Sequence, residues 1–231
     1  MIPKIIHYCW FGKRDKPTSV KKYIREWRHI LPDYQFIEWN ESNFDINSYS
    51  YTKEAYQHGK LAFVSDVARL QALYQMGGIY LDTDIEIKRP FDDLLNKKII
   101  FGYEGQGKLI MTAFIAAEEN SLFIKRIMDQ YNNRHFIKND GSLDDKPNTI
   151  LITEFFESLG IEVDGSRKKI EDFNMDIYPE EFFSAIEYSS MREVSTLNTY
   201  TVHHFTGTWK PWYVRIRRKI KKGLYAITGI R

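Results

Sequence analysis

The stretch Ala62-Phe-Val-Ser-Asp66-Val-Ala-Arg69-Leu-Gln-Ala-Leu-Tyr-Gln-Met-Gly77-Gly78-Ile-Tyr80-Leu-Asp82-Thr-Asp84 decides how this chain is read. Phe63, Val67, Leu70 and Tyr74 recur at helical spacing, so the segment from Leu61 to Met76 is expected to be a helix with one apolar face. Gly77-Gly78 ends it. Ile79-Tyr-Leu81 is then a short apolar strand that delivers two carboxylates, Asp82 and Asp84, at its carboxyl end. Open α/β sheets gather ligands outside that end of their strands.

Outward from this block the same alternation continues. Ile2 to Trp10 is β-branched and aromatic and reads as a strand, and Phe11-Gly12 ends it. Ser19 to Leu31 carries Val20, Tyr23, Ile24, Trp27, Ile30 and Leu31 at helical spacing up to Pro32-Asp33, and Tyr34 to Trp39 is a second strand. Strand, helix, strand is the opening unit of an α/β fold. Downstream, Ile85 to Lys88, Lys98 to Tyr103 and Leu109 to Ala116 are strand candidates punctuated by Pro90 and by Gly102, Gly105 and Gly107. Ser121 to Tyr131 and Thr149 to Leu159 read as helices. The polar segment between them, Asn132 to Asn148, reads as a long loop of the functional or mobile kind.

The 231 residues, 43% hydrophobic and 28% charged, describe an ordinary globular chain and exclude disordered, collagenous and disulfide-dense classes. The formal charge of +2 supports neither a nucleic-acid binder nor an acidic tail. It is also uneven. From Thr208 onward there are eight basic residues and no acid, which leaves 25 basic against 31 acidic residues before it. In that tail Trp209, Trp212, Tyr213, Ile216, Ile220, Leu224 and Ile227 form a stripe at helical spacing opposite the basic side chains. A division into a catalytic domain at 1–207 and a basic amphipathic helix at 208–231 follows, and the tail suits an anionic membrane surface. The competing reading is a terminal helix docked on the domain. Lone Cys9 cannot form an internal disulfide, so a reducing, cytoplasmic setting is expected. No stretch approaches the roughly 20 apolar residues of a membrane span and the first residues lack the regions of a signal peptide, so membrane contact is expected to be peripheral.

Two carboxylates one residue apart can grip a hard divalent cation, and Mg²⁺ or Mn²⁺ held in this way usually completes its shell with water and substrate phosphates. The spacing alone is weak, since 15 Asp give about one Asp-x-Asp by chance, and a solvated turn after a strand is the competing reading. Asp66 and Arg69 strengthen the case. They lie three residues apart on one helix face, away from the apolar stripe, and Arg69 is suited to pair with phosphate oxygens. A surface ion pair is the alternative. His7, inside an apolar strand, is expected to be a hydrogen-bonded structural residue. His203 and His204 adjoin on a strand-like run and must point to opposite faces, so at most one faces a given site. Trp10, at a strand end, is expected at the cleft.

Four blocks, Ile2-Pro-Lys-Ile-Ile-His-Tyr-Cys-Trp10, Trp39-Asn40, Ala62 to Asp84 and His203-His204-Phe-Thr-Gly207-Thr208-Trp209, together look like glycosyltransferase family 32. That family comprises DXD-motif transferases of capsular and surface-polysaccharide synthesis and is related to the clostridial glucosylating toxins and to eukaryotic mannosyl- and galactosyltransferases. The resemblance implies a GT-A fold with a mixed central sheet flanked by helices, a nucleotide-sugar donor (a UDP-sugar such as UDP-galactose, UDP-glucose or an N-acetyl form), Mn²⁺ or Mg²⁺, and retention of anomeric configuration. Carried over residue by residue, Trp10 resembles the residue stacked on the donor base, and Asp66 with Arg69 the pair contacting donor sugar and diphosphate. Asp82 resembles the carboxylate facing ribose and metal, and Asp84 the direct metal ligand. His204 with Gly207, Thr208 and Trp209 resembles the element that closes over the diphosphate and adds a metal contact.

The expected activity is transfer of a hexose to a saccharide acceptor, lipid-linked, at the inner face of the plasma membrane, with no nucleic acid involved. Two other classes compete. An apolar strand followed by Asp-x-Asp also opens the haloacid-dehalogenase phosphatase motif, although Glu86 stands where that motif has Thr or Val. A noncatalytic membrane-surface adaptor would explain the tail and leave Asp66, Arg69, Asp82 and Asp84 without a purpose.

Overall fold

A computed structural model describes residues 1–187 and 192–207. The order begins with β1 (Ile5–Cys9), α1 (Thr18–Ile30), β2 (Gln35–Trp39), α2 (Ser50–Gln57), α3 (Leu61–Met76), β3 (Gly78–Leu81) and β4 (Ile85–Ile87). It continues with β5 (Ile99–Glu104), β6 (Leu109–Ile110), β7 (Phe114–Ala117), α4 (Leu122–Met128) and α5 (Asn148–Ser158). The last elements are β8 (Lys168–Ile170), β9 (Met175–Tyr178), α6 (Glu180–Phe183), β10 (Ile186–Glu187), β11 (Arg192–Glu193) and β12 (Thr201–His203). The tail at 208–231, with its expected amphipathic helix and with Thr208 and Trp209, lies outside the described residues.

The main sheet runs β2-β1-β3-β7-β5-β9-β8, with β6 added against β5. β1 pairs parallel with both β2 and β3, whereas β7 is antiparallel to β3 and to β5. This is the mixed sheet expected of a GT-A-type α/β fold. Because β1 and β3 are parallel and in register at His7 opposite Tyr80, Trp10 and Asp82 leave the sheet at the same end. A separate antiparallel ladder pairs β12 with β4, His203 opposite Ile85. It brings the last described strand against the acidic loop.

The sheet carries a core on each face. On one side α2, α3, α4 and α5 pack Val67, Leu70, Phe123 and Phe156 against Phe101 and Ile115. On the other, Trp27 of α1 is fully buried with Tyr8, Ile79, Leu81 and Phe114, and its indole N–H donates to the Ile85 carbonyl at 2.9 Å. The corner between α3 and β3 demands glycine twice. Gly77 and Gly78 have φ of +61° and +100°, and a Cβ at either would approach backbone atoms, Glu119 N or Ile5 O, to 2.6 Å. His7 locks the same corner, its Nε2–H donating to the Gly77 carbonyl at 2.7 Å while Nδ1 accepts from Trp39 Nε1 at 3.0 Å. Both ring nitrogens are satisfied only by the neutral imidazole, and burial pushes its pKa down to about 4.

Two expectations from the sequence are corrected. Helix α3 has no solvated face where Asp66 and Arg69 stand, since both are buried along with Phe63, Val64, Val67, Ala68, Leu70, Ala72 and Leu73. The strand expected over Leu109 to Ala116 is broken into β6 and β7, and the Thr112 carbonyl in the break accepts from Arg69. The segment Asn132 to Asn148 is the expected long loop, with an anchored start. Glu54 of α2 accepts from the backbone N–H groups of Phe136 and Ile137 at 2.8 and 2.9 Å, and the Phe136 ring is fully buried.

Candidate active site

The site is assembled in two parts. The first is the helix-strand unit α3–β3. Arg69 is buried at the centre of it: Nη2 lies 2.8 Å from Asp66 Oδ1 and 3.5 Å from Asp82 Oδ1, Nη1 donates to the Thr112 carbonyl at 2.8 Å, and Nε donates to the Ser65 carbonyl at 3.3 Å. The guanidinium also lies over the Tyr80 ring, 4.7 Å from its centroid, a favourable cation–π placement. Arg69 therefore fastens two carboxylates together, and this is how the four-residue block read from the sequence comes into contact. Tyr80 adds a hydrogen bond, its hydroxyl donating to Asp82 Oδ1 at 2.8 Å. Burial pushes the Asp66 pKa up to about 6 despite the attraction of Arg69, with the Asp82 carboxylate adding to the rise. Asp82 keeps the most open side chain of the three, 30% exposed against 11% for Asp66 and 6% for Arg69.

The second part joins the loop after β3 to β12. Asp84 Oδ2 accepts from the backbone N–H of Thr206 at 2.7 Å and from its hydroxyl at 3.0 Å, and Asp84 Oδ1 lies 3.5 Å from His203 Nε2. The Asp84 carbonyl accepts from the His204 N–H at 3.1 Å. Burial would raise the Asp84 pKa, but the His203 ring and the Thr206 donors outweigh it and hold the carboxyl down at about 2. The same pairing works in reverse on His203. Its burial opposes a positive charge, yet Asp84 and Glu104 lift its pKa to about 10.

Donor atoms of Asp82, Asp84 and His203 lie within 4.8 Å of one another. Two carboxylates and an imidazole are a donor set that Mn²⁺ accepts, and the carboxylates alone suit Mg²⁺. A bound ion would displace a proton from the His203 ring between Asp84 and Glu104, because only the neutral imidazole offers a lone pair. These residues therefore fit the divalent ion the resemblance implies.

The histidine in this cluster is His203, not the expected His204. Period-two alternation on β12 turns His204 away, where Nε2–H donates to Glu86 Oε2 at 2.8 Å and the ring stacks on Tyr23 at 5.4 Å between centroids. The residue reaching Asp84 from the turn is Thr206, inside the same block; Gly207 beside it has φ of +57°. Trp10 stands at the carboxyl end of β1, half-buried, its indole N–H donating to the Arg14 carbonyl at 2.7 Å and the Lys16 ammonium 5.9 Å from its ring centroid. Sequence reasoning missed Tyr80 and Glu104; only the period-two alternation of β3 places Tyr80 on the face of Asp82.

Residues 17–100 match the glycosyltransferase sugar-binding region containing a DXD motif. Inositol phosphoceramide mannosyltransferase 1 of Schizosaccharomyces pombe is 28% identical over 155 residues, which are 59% of this chain and 46% of that protein. The chain thus spans less than half the length of the curated relatives it matches. Among solved structures, the PaToxG glycosyltransferase superposes with a TM-score of 0.52 at 19% identity, covering 69% of this chain and 70% of its own. A glycosyltransferase involved in glycosylation of the major capsid of PBCV-1 gives 0.51 at 12% identity, covering 94% and 98%. The fold is shared with glycosyltransferases, and the segment that carries Asp66, Arg69, Asp82 and Asp84 is similar to a glycosyltransferase sugar-binding region of the DXD kind.

Proposed function

We propose that the chain is a metal-dependent glycosyltransferase that moves a hexose from a nucleotide sugar, a UDP-sugar in the first instance, onto a saccharide acceptor with retention of configuration. The observation that carries this reading is the convergence of Asp82 and Asp84, both inside the matched sugar-binding region, with His203 from β12 at a strand end. Asp82, Asp84 and His203 would hold Mn²⁺ or Mg²⁺. When bound, the ion neutralises a departing diphosphate as a Lewis acid. The chain's own residues do the rest. Arg69 bridges Asp66 and Asp82 and fixes their orientation, which places preorganised polar groups where the donor arrives. Thr206 holds Asp84 by two hydrogen bonds, so the carboxylate needs no reorganisation. Trp10 offers an aromatic face for the donor base at the same sheet end.

Retention rests on the family resemblance alone. A lipid-linked acceptor, capsular or surface-polysaccharide synthesis, and a cytoplasmic site of action at the inner membrane face are parts of the same proposal. Two things support the lipid acceptor: the basic, aromatic composition of residues 208–231, and the likeness to a fission-yeast inositol phosphoceramide mannosyltransferase. Among the described residues no helix is long and apolar enough to cross a membrane. The phosphatase reading is disfavoured by the matched region and by the strand that bears Asp82, which is flanked by antiparallel β7.

The test is a thermal-shift screen of UDP-galactose, UDP-glucose, their N-acetyl forms and GDP-mannose with Mn²⁺. GDP-mannose belongs in it because the yeast relative is named a mannosyltransferase. A donor at a hundred times its Kd should add about 2.7 kcal/mol of stability, and the shift should vanish without metal. No shift from any donor would sink the proposal.

A further inference from the structure

Glu104 ends β5 beside the site and has been given no role there beyond its attraction for His203. It is buried, 8% exposed, and among the described residues its Oε2 has no hydrogen-bond partner. The facing His203 Nδ1 is equally buried and equally unpartnered, 3.6 Å away. The two attract each other as an ion pair but stop short of the hydrogen bond each lacks, a bond whose absence in a protein interior costs on the order of 1–3 kcal/mol per group. The other ring nitrogen, Nε2, faces Asp84 Oδ1 at 3.5 Å. The Phe205 ring packs on the imidazole at 3.9 Å between centroids and restricts its tilt.

We propose that Glu104 is a positioning residue for His203: it accepts the Nδ1 proton, fixes the tautomer, and leaves Nε2 as the free donor directed at the cation held with Asp82 and Asp84. The inference rests on the reading of those three residues as a cation site. Histidines that bind metals commonly donate their second ring N–H to a carboxylate, which orients the ring and raises its basicity. Here the geometry for that arrangement stands ready, with one carboxylate on each side of the ring. The 3.6 Å gap needs to close by about half an ångström to reach hydrogen-bond range.

The test is a titration of MnCl₂ alone into the full chain, followed by the electron paramagnetic resonance signal of free Mn²⁺. Glu104→Leu should weaken Mn²⁺ binding roughly ten- to a hundredfold. Glu104→Gln, whose carbonyl still accepts from Nδ1–H, should lose less and serves as the isosteric variant if the leucine form does not fold. In a His203→Ala background Glu104→Leu should cause no further loss, a coupling that a merely structural carboxylate would not produce. Unchanged Mn²⁺ affinity in both Glu104 variants, or an equal loss with and without His203, would overturn the proposal. If the unmodified chain and Asp84→Ala bind Mn²⁺ alike, the cation reading itself falls and this inference with it.

Discussion

Asp66, Arg69 and Asp82 come from one helix-strand unit and meet inside the core, whereas Asp84 finds its partners on β12, 122 positions away in the case of Thr206. The first cluster is fixed by the same packing that makes the sheet. Its charges are tied by an arginine whose nitrogens bond to carbonyls as well as carboxylates. The second is fixed by a three-residue ladder, β4 with β12, and by hydrogen bonds from a turn. The difference teaches that a two-carboxylate motif can be split functionally. Its first member is held by the scaffold, and its second is held by residues that follow much later in the chain.

Four experiments break or sharpen that contrast. The largest effect is expected from Arg69→Met, which strands buried Asp66 and partly exposed Asp82 without their shared cation. Losing one partner of a buried ion pair costs roughly 3–5 kcal/mol, read as a lowered urea midpoint; a loss below about 1 kcal/mol would show that the cluster is not part of the scaffold. Asp84→Ala should leave the urea midpoint far less affected and instead reduce transfer activity on the order of 100- to 1000-fold, the scale of removing one preorganised electrostatic element. Equal damage to folding from both substitutions would erase the distinction.

The third experiment concerns acid. His7 belongs to the scaffold side, bonded to Gly77 at the corner from which β3 departs. Its pKa is lowered from 6.5 to about 4 in the folded chain, so below pH 6.5 the unfolded chain takes up a proton that the folded one refuses. Stability from this residue is complete above pH 6.5 and is lost as pH falls through 4, about 3 kcal/mol in all by the usual linkage. His7→Gln should flatten that part of the profile in a pH series of urea titrations. The smallest effect is expected from His204→Ala. Its pairing with half-exposed Glu86 is worth at most about 1 kcal/mol, and Mn²⁺ affinity should not change. Loss of Mn²⁺ binding in this variant would return the ligand role to His204.

The scaffold was more legible than the site. Helical spacing and Gly77-Gly78 located α3 and β3, and alternation located β1 and β2, because each is a local pattern. What periodicity could not convey was that α3 is covered on every side, since Asp66 and Arg69 look like a solvated pair until the Thr112 carbonyl and Asp82 are seen around them. The break between β6 and β7 escaped for the same reason: its cause is the guanidinium, 43 positions earlier. Alternation established that only one of His203 and His204 faces Asp84. Which one depends on the register against β4, which no local feature encodes. Glu104 carries no motif at all and becomes visible only through its place opposite His203.

The β4–β12 ladder also has a consequence for synthesis. Domains form from the amino terminus as the chain emerges, so Asp82 and Asp84 leave the ribosome well before the strand that supplies His203 and Thr206. A nascent chain can thus form β1, β2, α3 and β3 and still lack one member of its cation-binding set. On the proposed reading, closure of this single short ladder, with His203 opposite Ile85, is the step that completes the cation set.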